Sequence, residues 1–337
     1  MPPDTSVTSD EAVIRRRVRK LLGAEAIAGA KRLRLSYTLR DTFFIYALLA
    51  LSIGGTIVAH QHFGLLALLG APVFMLLSGI AFNWINVQIH EASHILLLPK
   101  QRANDAYCNL VLGSLALQDV QTYRQTHSLH HAHLRSEADP DLWVYMSHAG
   151  SGRAVLRGMI EDLLLITVLK RQRQSRGLRT SDKAREGGDA GSSLVRTTVK
   201  LAGQAAILAI YLAGCGWAGL LYYGAFYLYP LVGIFPLLVR IRTVVQHFAP
   251  QAGAAQDGTI VFMSRTTESS LWQFILIGGR MDYHFEHHLM PMIPYYGLRD
   301  LHRALDERRF FHELREEDGR AFRTTTYLQD YYSMASR

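Results

Sequence analysis

Residues 42 to 90 contain no Lys, Arg, Asp or Glu, and neither do residues 201 to 239. A soluble domain very rarely runs that far without charge, whereas a membrane-spanning helix needs about 20 consecutive, mostly apolar residues. Each stretch therefore has room for two spans and a short turn. The first divides at Ala59-His60-Gln61-His62 and the second near Gly214-Cys215-Gly216-Trp217. This places spans at about 43 to 59, 63 to 87, 199 to 214 and 218 to 239. Neither turn carries Lys or Arg, while the second hairpin exits at Arg240 and Arg242 and the first is preceded by Arg40. Basic residues collect on the cytoplasmic side of spans. The expected fold is an all-α integral membrane protein: four transmembrane helices in two hairpins, a helical cytoplasmic cap, and both termini cytoplasmic.

The remaining segments follow from that frame. Residues 1 to 40 read as a basic cytoplasmic segment, in which Arg15, Arg16, Arg17, Arg19, Lys20, Lys31, Arg32 and Arg34 alternate with Val18, Leu21, Leu22, Ile27 and Leu33. That pattern suits an amphipathic helix on an anionic leaflet. Residues 41 to 305 form the membrane domain. Within it, Ala106 to Leu117 is apolar but too short to span and is expected to be interfacial or re-entrant. Arg153 to Lys170 reads as an amphipathic helix, 170 to 196 as a mobile polar loop, and 306 to 337 as a cytoplasmic tail. The net charge of +8 does not indicate nucleic acid, because the basic residues flank apolar spans instead of forming an aromatic-interleaved patch. Cys108 and Cys215 lie in apolar surroundings without CxxC pairing and read as inert thiols.

Three short windows then hold eight histidines: His90 and His94 at i and i+4, and the trios His127, His130, His131 and His284, His287, His288 at i, i+3 and i+4. On a helix these positions share a face, so each trio is expected to present its imidazoles to one point. Neutral imidazole is the commonest metal ligand, and a nitrogen-rich site suits iron, copper, nickel or zinc rather than magnesium or calcium. Eight ligands exceed what one ion takes, so the pattern implies two adjacent ions that activate oxygen or water. Both hairpins deliver these windows to one side. His247 follows the last span much as His90 follows the second, and is expected as a ninth ligand. His60 and His62 belong to the opposite turn, and His133 is out of helical phase with His130. His148, His302 and His312 are isolated and read as ordinary surface or packing residues.

The three windows, written HEASH at 90 to 94, HSLHH at 127 to 131 and HFEHH at 284 to 288, resemble the three histidine boxes of the membrane fatty acid desaturase superfamily. Ala138-Asp139-Pro140-Asp141 and the run from Tyr283 through Met290-Pro291 to His302 extend the likeness over roughly residues 40 to 305. The resemblance implies a non-haem di-iron centre with two Fe ions, O2 as co-substrate, and a lipid or acyl-thioester substrate. It also implies an external electron donor of the ferredoxin or cytochrome b5 type, since no HPGG haem motif is present. Asp139, Asp141, Asp282 and Glu286 are candidates for holding imidazole N–H groups from behind. His284 stands where front-end desaturases usually carry Gln, which weighs against that subgroup. Desaturation is the leading reaction, with hydroxylation or ketolation of a lipid or carotenoid as the alternative within the superfamily. His90-Glu91-Ala92-Ser93-His94 also matches the HExxH of an intramembrane zinc protease, but that reading leaves both trios unexplained. A divalent-metal transporter would need ionisable residues inside its spans.

Overall fold

The computed structural model describes residues 6–134, 136–142, 144, 152–170, 190–247, 264–267, 270–278 and 281–313. The helices are, in chain order, α1 (Ser6–Ala30), α2 (Leu35–Phe63), α3 (Ala71–Ser93), α4 (Gln101–Tyr107), α5 (Val120–His133), α6 (Gly152–Leu163), α7 (Ala190–Cys215), α8 (Ala218–His247), α9 (His284–Leu289) and α10 (Tyr295–Glu307). Among the described residues there is no β-strand, only an isolated bridge between Thr266 and Tyr283. The chain forms two compact units. One comprises Leu35–Tyr123 and Leu156–Arg240, the other Met1–Arg34, Arg124–Val155 and Ile241–Arg337.

The first unit holds the apolar stretches. Among the described residues, three segments are long and apolar enough to cross a membrane: Leu35–Ser93, Ser193–Cys215 and Ala218–His247. The first has 59 residues. As one straight helix it would be about 88 Å long, nearly three times the ~30 Å hydrocarbon core, so it has to fold back. It does so through a 3-10 turn at Gly64–Gly70, entered by Gly64 at a positive φ of 58°. The returning α3 lies along α2, where Ser52 Oγ meets Ser78 Oγ at 2.9 Å and donates to the Phe74 carbonyl. Large apolar side chains such as Phe43, Leu51 and Val58 on α2, Val73 on α3, and Leu201 on α7 are exposed. Such a continuous apolar exterior is what a lipid-facing surface looks like. His60 and His62 lie in the last turn of α2, one step before the expected turn, and His60 Nδ1 meets the Tyr222 hydroxyl at 2.9 Å.

The apolar stretch 106 to 117 becomes a π turn (Cys108–Leu112), a 3-10 turn (Gly113–Ala116) and a left-handed Leu117 with φ 55°. A carbonyl left unpaired at such a break in the helix would cost free energy away from water. Polar side chains of the long helices meet carbonyls of this stretch. Gln204 Nε2 of α7 donates to the carbonyls of Ser114 and Leu115 at 3.0 Å each, and Tyr227 Oη of α8 donates to Leu115 at 2.8 Å. Gly203 makes the approach possible, since a Cβ there would stand 2.8 Å from the Ser114 carbonyl oxygen. Asp119 then starts α5, accepting the Thr122 N–H at 2.9 Å and the Lys200 ammonium at 2.9 Å. Burial opposes its charge, but the bonds from Thr122 and Lys200 outweigh this and hold the carboxyl below the usual range. Of the expected loop 170 to 196, residues 171–189 lie outside the described residues, and Ala190 onward is already helical.

In the second unit α1 packs on α10. Val18, Leu22 and Ile27 are buried, as are Leu301 and Leu305. The apolar stripe expected to rest on a leaflet is thus covered by the chain itself, with Gly23 (φ 80°) bending α1 midway. Arg17 pairs with Glu313 at 2.6 Å, and the Arg34 N–H donates to Tyr296 Oη at 2.8 Å. Residues 314–337 of the expected tail lie outside the described residues.

Where α6 ends, Asp162 accepts from Arg240 Nη2 at 2.9 Å, from Arg240 Nε, and from Thr167 Oγ1, and all three residues are buried. Removing one partner of a buried ion pair costs about 3–5 kcal/mol. Asp162→Ala is expected to lower the melting temperature of the detergent-purified protein sharply, while Arg157→Ala, at an exposed pair, leaves it within a degree or so. An unchanged melting temperature for Asp162→Ala would show that the pair does not hold this junction.

Candidate metal centre

The second unit gathers imidazoles from three stretches of chain: α5, the end of α8, and α9. His130, His247, His284 and His288 form one group, all four buried, with a ligand nitrogen from each within 4.8 Å of the others. His284 Nε2 stands 3.0 Å from His247 Nε2 and 3.1 Å from His288 Nε2. In the same unit His131 Nε2 lies 3.0 Å from His127 Nε2 and 3.0 Å from His287 Nε2. Each HxxHH window is therefore divided between two groups. Positions i and i+4 converge, and the i+3 imidazole goes to the other group. The expectation that each trio faces a single point is corrected by helix geometry: at about 100° per residue, i and i+4 are some 40° apart, but i+3 and i+4 differ by the full 100°.

The donor set fits a metal ion. Two nitrogens each about 2.0–2.1 Å from one ion and at right angles stand about 2.9 Å apart, close to the spacing found. Hydrogen bonding alone serves these groups poorly. A single Nε2 is either a donor or an acceptor, yet His284 and His131 each face two other nitrogens. Burial first, then the neighbouring imidazoles, hold the His288 pKa well below its ordinary value, so it is neutral, the form that ligates. A buried, all-nitrogen set suits iron, copper, nickel or zinc.

Behind the imidazoles, carboxylates set orientation. His130 Nδ1–H donates to Asp139 Oδ1 at 2.9 Å, which leaves Nε2 with its lone pair directed at the group. The same Oδ1 accepts the Asp141 backbone N–H at 2.9 Å, whereas the Asp141 carboxylate is half exposed and 4.0 Å from His130. Asp282 is buried, and its carbonyl accepts the Thr267 N–H at 2.9 Å, tying the start of α9 to the bridge strand position. Glu286 is fully buried and accepts from His302 Nδ1 on α10 and from Thr266 Oγ1. Burial disfavours the charged form of His302, but the bond to Glu286, its charge, and that of Asp306 outweigh it and raise the pKa above the usual value. Arg15 Nη2 donates to the His288 carbonyl at 3.1 Å, and Gln246 Nε2 to the Met281 carbonyl at 2.6 Å. The six-residue α9 is thus pinned from α1, α8, α10 and the 264–267 segment.

In the first unit His90 sits in the last turn of α3 and His94 caps it, their ring centroids 5.2 Å apart. Glu91 Oε1 accepts from His90 Nδ1 at 3.3 Å. The chain turns away through Ile95 at φ 62°, with the Leu96 N–H returning to the Glu91 carbonyl. Buried Asn104 fixes the turn, donating to the Ala92 carbonyl at 2.9 Å and accepting the Leu97 N–H at 3.1 Å. Asn104 and His302 are the supporting residues that sequence reasoning passed over. A signal for His302 existed in its place on the buried-face side of an amphipathic helix following the third window. His133 is exposed, and His148 lies outside the described residues.

Removing the partner behind a metal-bound imidazole typically costs 10–100-fold in metal affinity. Asp139→Ala is expected to lose its metal to a chelator at roughly 10- to 100-fold lower concentration than the unaltered protein, and Asp141→Ala to match the unaltered protein. Equal retention in all three would deny Asp139 this role.

No curated protein matches the chain. A family model described as fatty acid desaturase matches residues 64–316. The match takes in all three histidine windows, His247 and the helices that carry them. It spans well over half of the sequence, and the chain belongs to the fatty acid desaturase family.

Proposed function

We propose that the protein is an O2-dependent di-iron oxidoreductase that introduces a double bond into the acyl chain of a lipid or an acyl thioester. Its electrons come from an external donor of the ferredoxin or cytochrome b5 type. The observation that carries this reading is the division of the histidines into two groups with metal-ligand spacing. His130, His247, His284 and His288 are assigned to one iron. His127, His131 and His287 are assigned to the other, and His90 and His94 of the first box are proposed as metal ligands as well. Two irons, when bound, supply reductive activation of O2 strong enough to attack an unactivated C–H bond.

The protein's own residues do the rest. His288 is held neutral by its burial among the other imidazoles, and Asp139 fixes the tautomer of His130. The burial of His284, His287 and His288 keeps bulk water from the reacting region. Which methylene reacts is a matter of where the acyl chain is held, since placement within a fraction of an ångström governs reaction at one carbon over its neighbour. The arms α2 and α3, with α7 and α8, are read as four crossings in two hairpins, with both termini on the cytoplasmic side. The fold-back at Gly64–Gly70 and the basic residues at Arg40 and Arg240 support this topology.

Expression in a host of simple lipid composition, followed by fatty-acid analysis by gas chromatography and mass spectrometry, tests the reading. New unsaturated chains are expected with the unaltered protein and none with His287→Ala, which is expected to remain in the membrane fraction. Hydroxylated chains in place of alkenes would assign the protein to the hydroxylating branch. Unsaturation that persists in His287→Ala would contradict the ligand assignment.

A further inference from the structure

Between α1 and α10, within the second unit, lies a cavity of about 400 Å³ that the oxidation chemistry does not use. Its floor is apolar, formed by the buried Leu22, Ile27 and Leu301. Its rim carries Arg32, Arg34 and Asp300, all exposed. Among the described residues no ion pair neutralises any of the three. Gly297 lets the two helices close on one side, since a Cβ there would stand 2.9 Å from the Ala30 carbonyl oxygen. Tyr296 Oη, accepting the Arg34 N–H at 2.8 Å, fixes the backbone of the rim.

The chemistry of this cavity is amphipathic, and its charges are of both signs. Two arginines lining one cavity match a phosphodiester, for which Arg has the geometry and weak hydration that Lys lacks. The carboxylate of Asp300 matches a primary ammonium carried near that phosphate. The apolar floor matches the start of an acyl chain, and the volume falls at the lower end of small-molecule sites, too small for a whole diacyl lipid. The sequence agrees, because Arg34 is followed directly by Leu35, the first residue of the apolar α2. A soluble phosphate ester would leave the floor unused, and a neutral lipid would leave the rim charges unmatched. We infer that this cavity binds a phospholipid of the phosphatidylethanolamine type, with the phosphodiester on Arg32 and Arg34, the ammonium on Asp300, and the upper part of one acyl chain over Leu22, Ile27 and Leu301.

The test uses the full-length chain purified in mixed micelles of phosphatidylcholine doped at equal mole fraction with phosphatidylethanolamine or phosphatidylglycerol. Retained lipid is counted by native mass spectrometry and stability is followed by thermal shift. Phosphatidylethanolamine is expected to be retained over both other lipids and to raise the melting temperature. Loss of a charge-assisted contact typically weakens binding about tenfold, so Arg32→Gln/Arg34→Gln is expected to reduce retention by at least that factor. Asp300→Asn is expected to erase the preference over phosphatidylcholine, and Ala26→Trp, which fills the cavity from its lining, to abolish retention. Metal content serves as the check that each variant is folded. Equal retention of all three lipids, retention unchanged in the double arginine variant, or the same stabilisation by inorganic phosphate alone would overturn the inference. No turnover is measured, so failure of the oxidase reading leaves this result interpretable.

Discussion

Several imidazole nitrogens converge on small buried volumes, and the architecture of the second unit is arranged to make that possible. Packed at about 3 Å, each Nε2 is a donor or an acceptor but not both, so hydrogen bonding serves the group only in part, whereas a shared cation would satisfy all of its lone pairs. The ligands come from stretches far apart in sequence, and each is fixed differently. α5 is a regular helix started by Asp119, and its His130 is turned by Asp139. α9 is a single short helix that has little stability of its own, and it is held by Arg15, Thr267 and the Glu286–His302 pair. If these groups hold metal as proposed, ligand geometry and folding of this unit are coupled in the way expected of a metal-organised domain.

The first unit faces a different constraint. The 106–117 stretch interrupts regular helix, and polar side chains support it: Gln204 and Tyr227 from the long helices, and Ser114 from within the stretch. Small residues let these groups reach their partners, as Gly203 does at Ser114. The same economy appears along α8, where the buried Arg240 is met by Asp162 and Thr167. Buried polar groups in this unit are paired to hold irregular backbone in place.

Much of this was legible in the sequence. Long charge-free stretches announce spanning helices because charge is what the bilayer excludes, and histidines at i and i+4 announce a shared ligand position because one helical turn superimposes them. His247 could be read from its place after the last span, and the structure sets it beside His284 and His130. What the spacing did not convey was that the middle histidine of each HxxHH turns to the other group, a consequence of about 100° of rotation per residue that only becomes visible when two helices face each other. Nor did it convey that α1 spends its apolar stripe on α10, since an amphipathic helix reads the same whether its partner is lipid or protein. His302 reads in the sequence as an ordinary surface or packing residue because its partner Glu286 is sixteen positions away and is fixed by tertiary packing alone.

The measurement that tests the central claim most directly is the metal content per chain of the detergent-purified protein expressed with iron and zinc both available. Two irons per chain are expected, falling when His130 or His287 is replaced by alanine. A single tightly held zinc, insensitive to replacement of His284 or His288, would contradict the di-iron reading and direct attention to the HExxH sequence at His90–His94 instead.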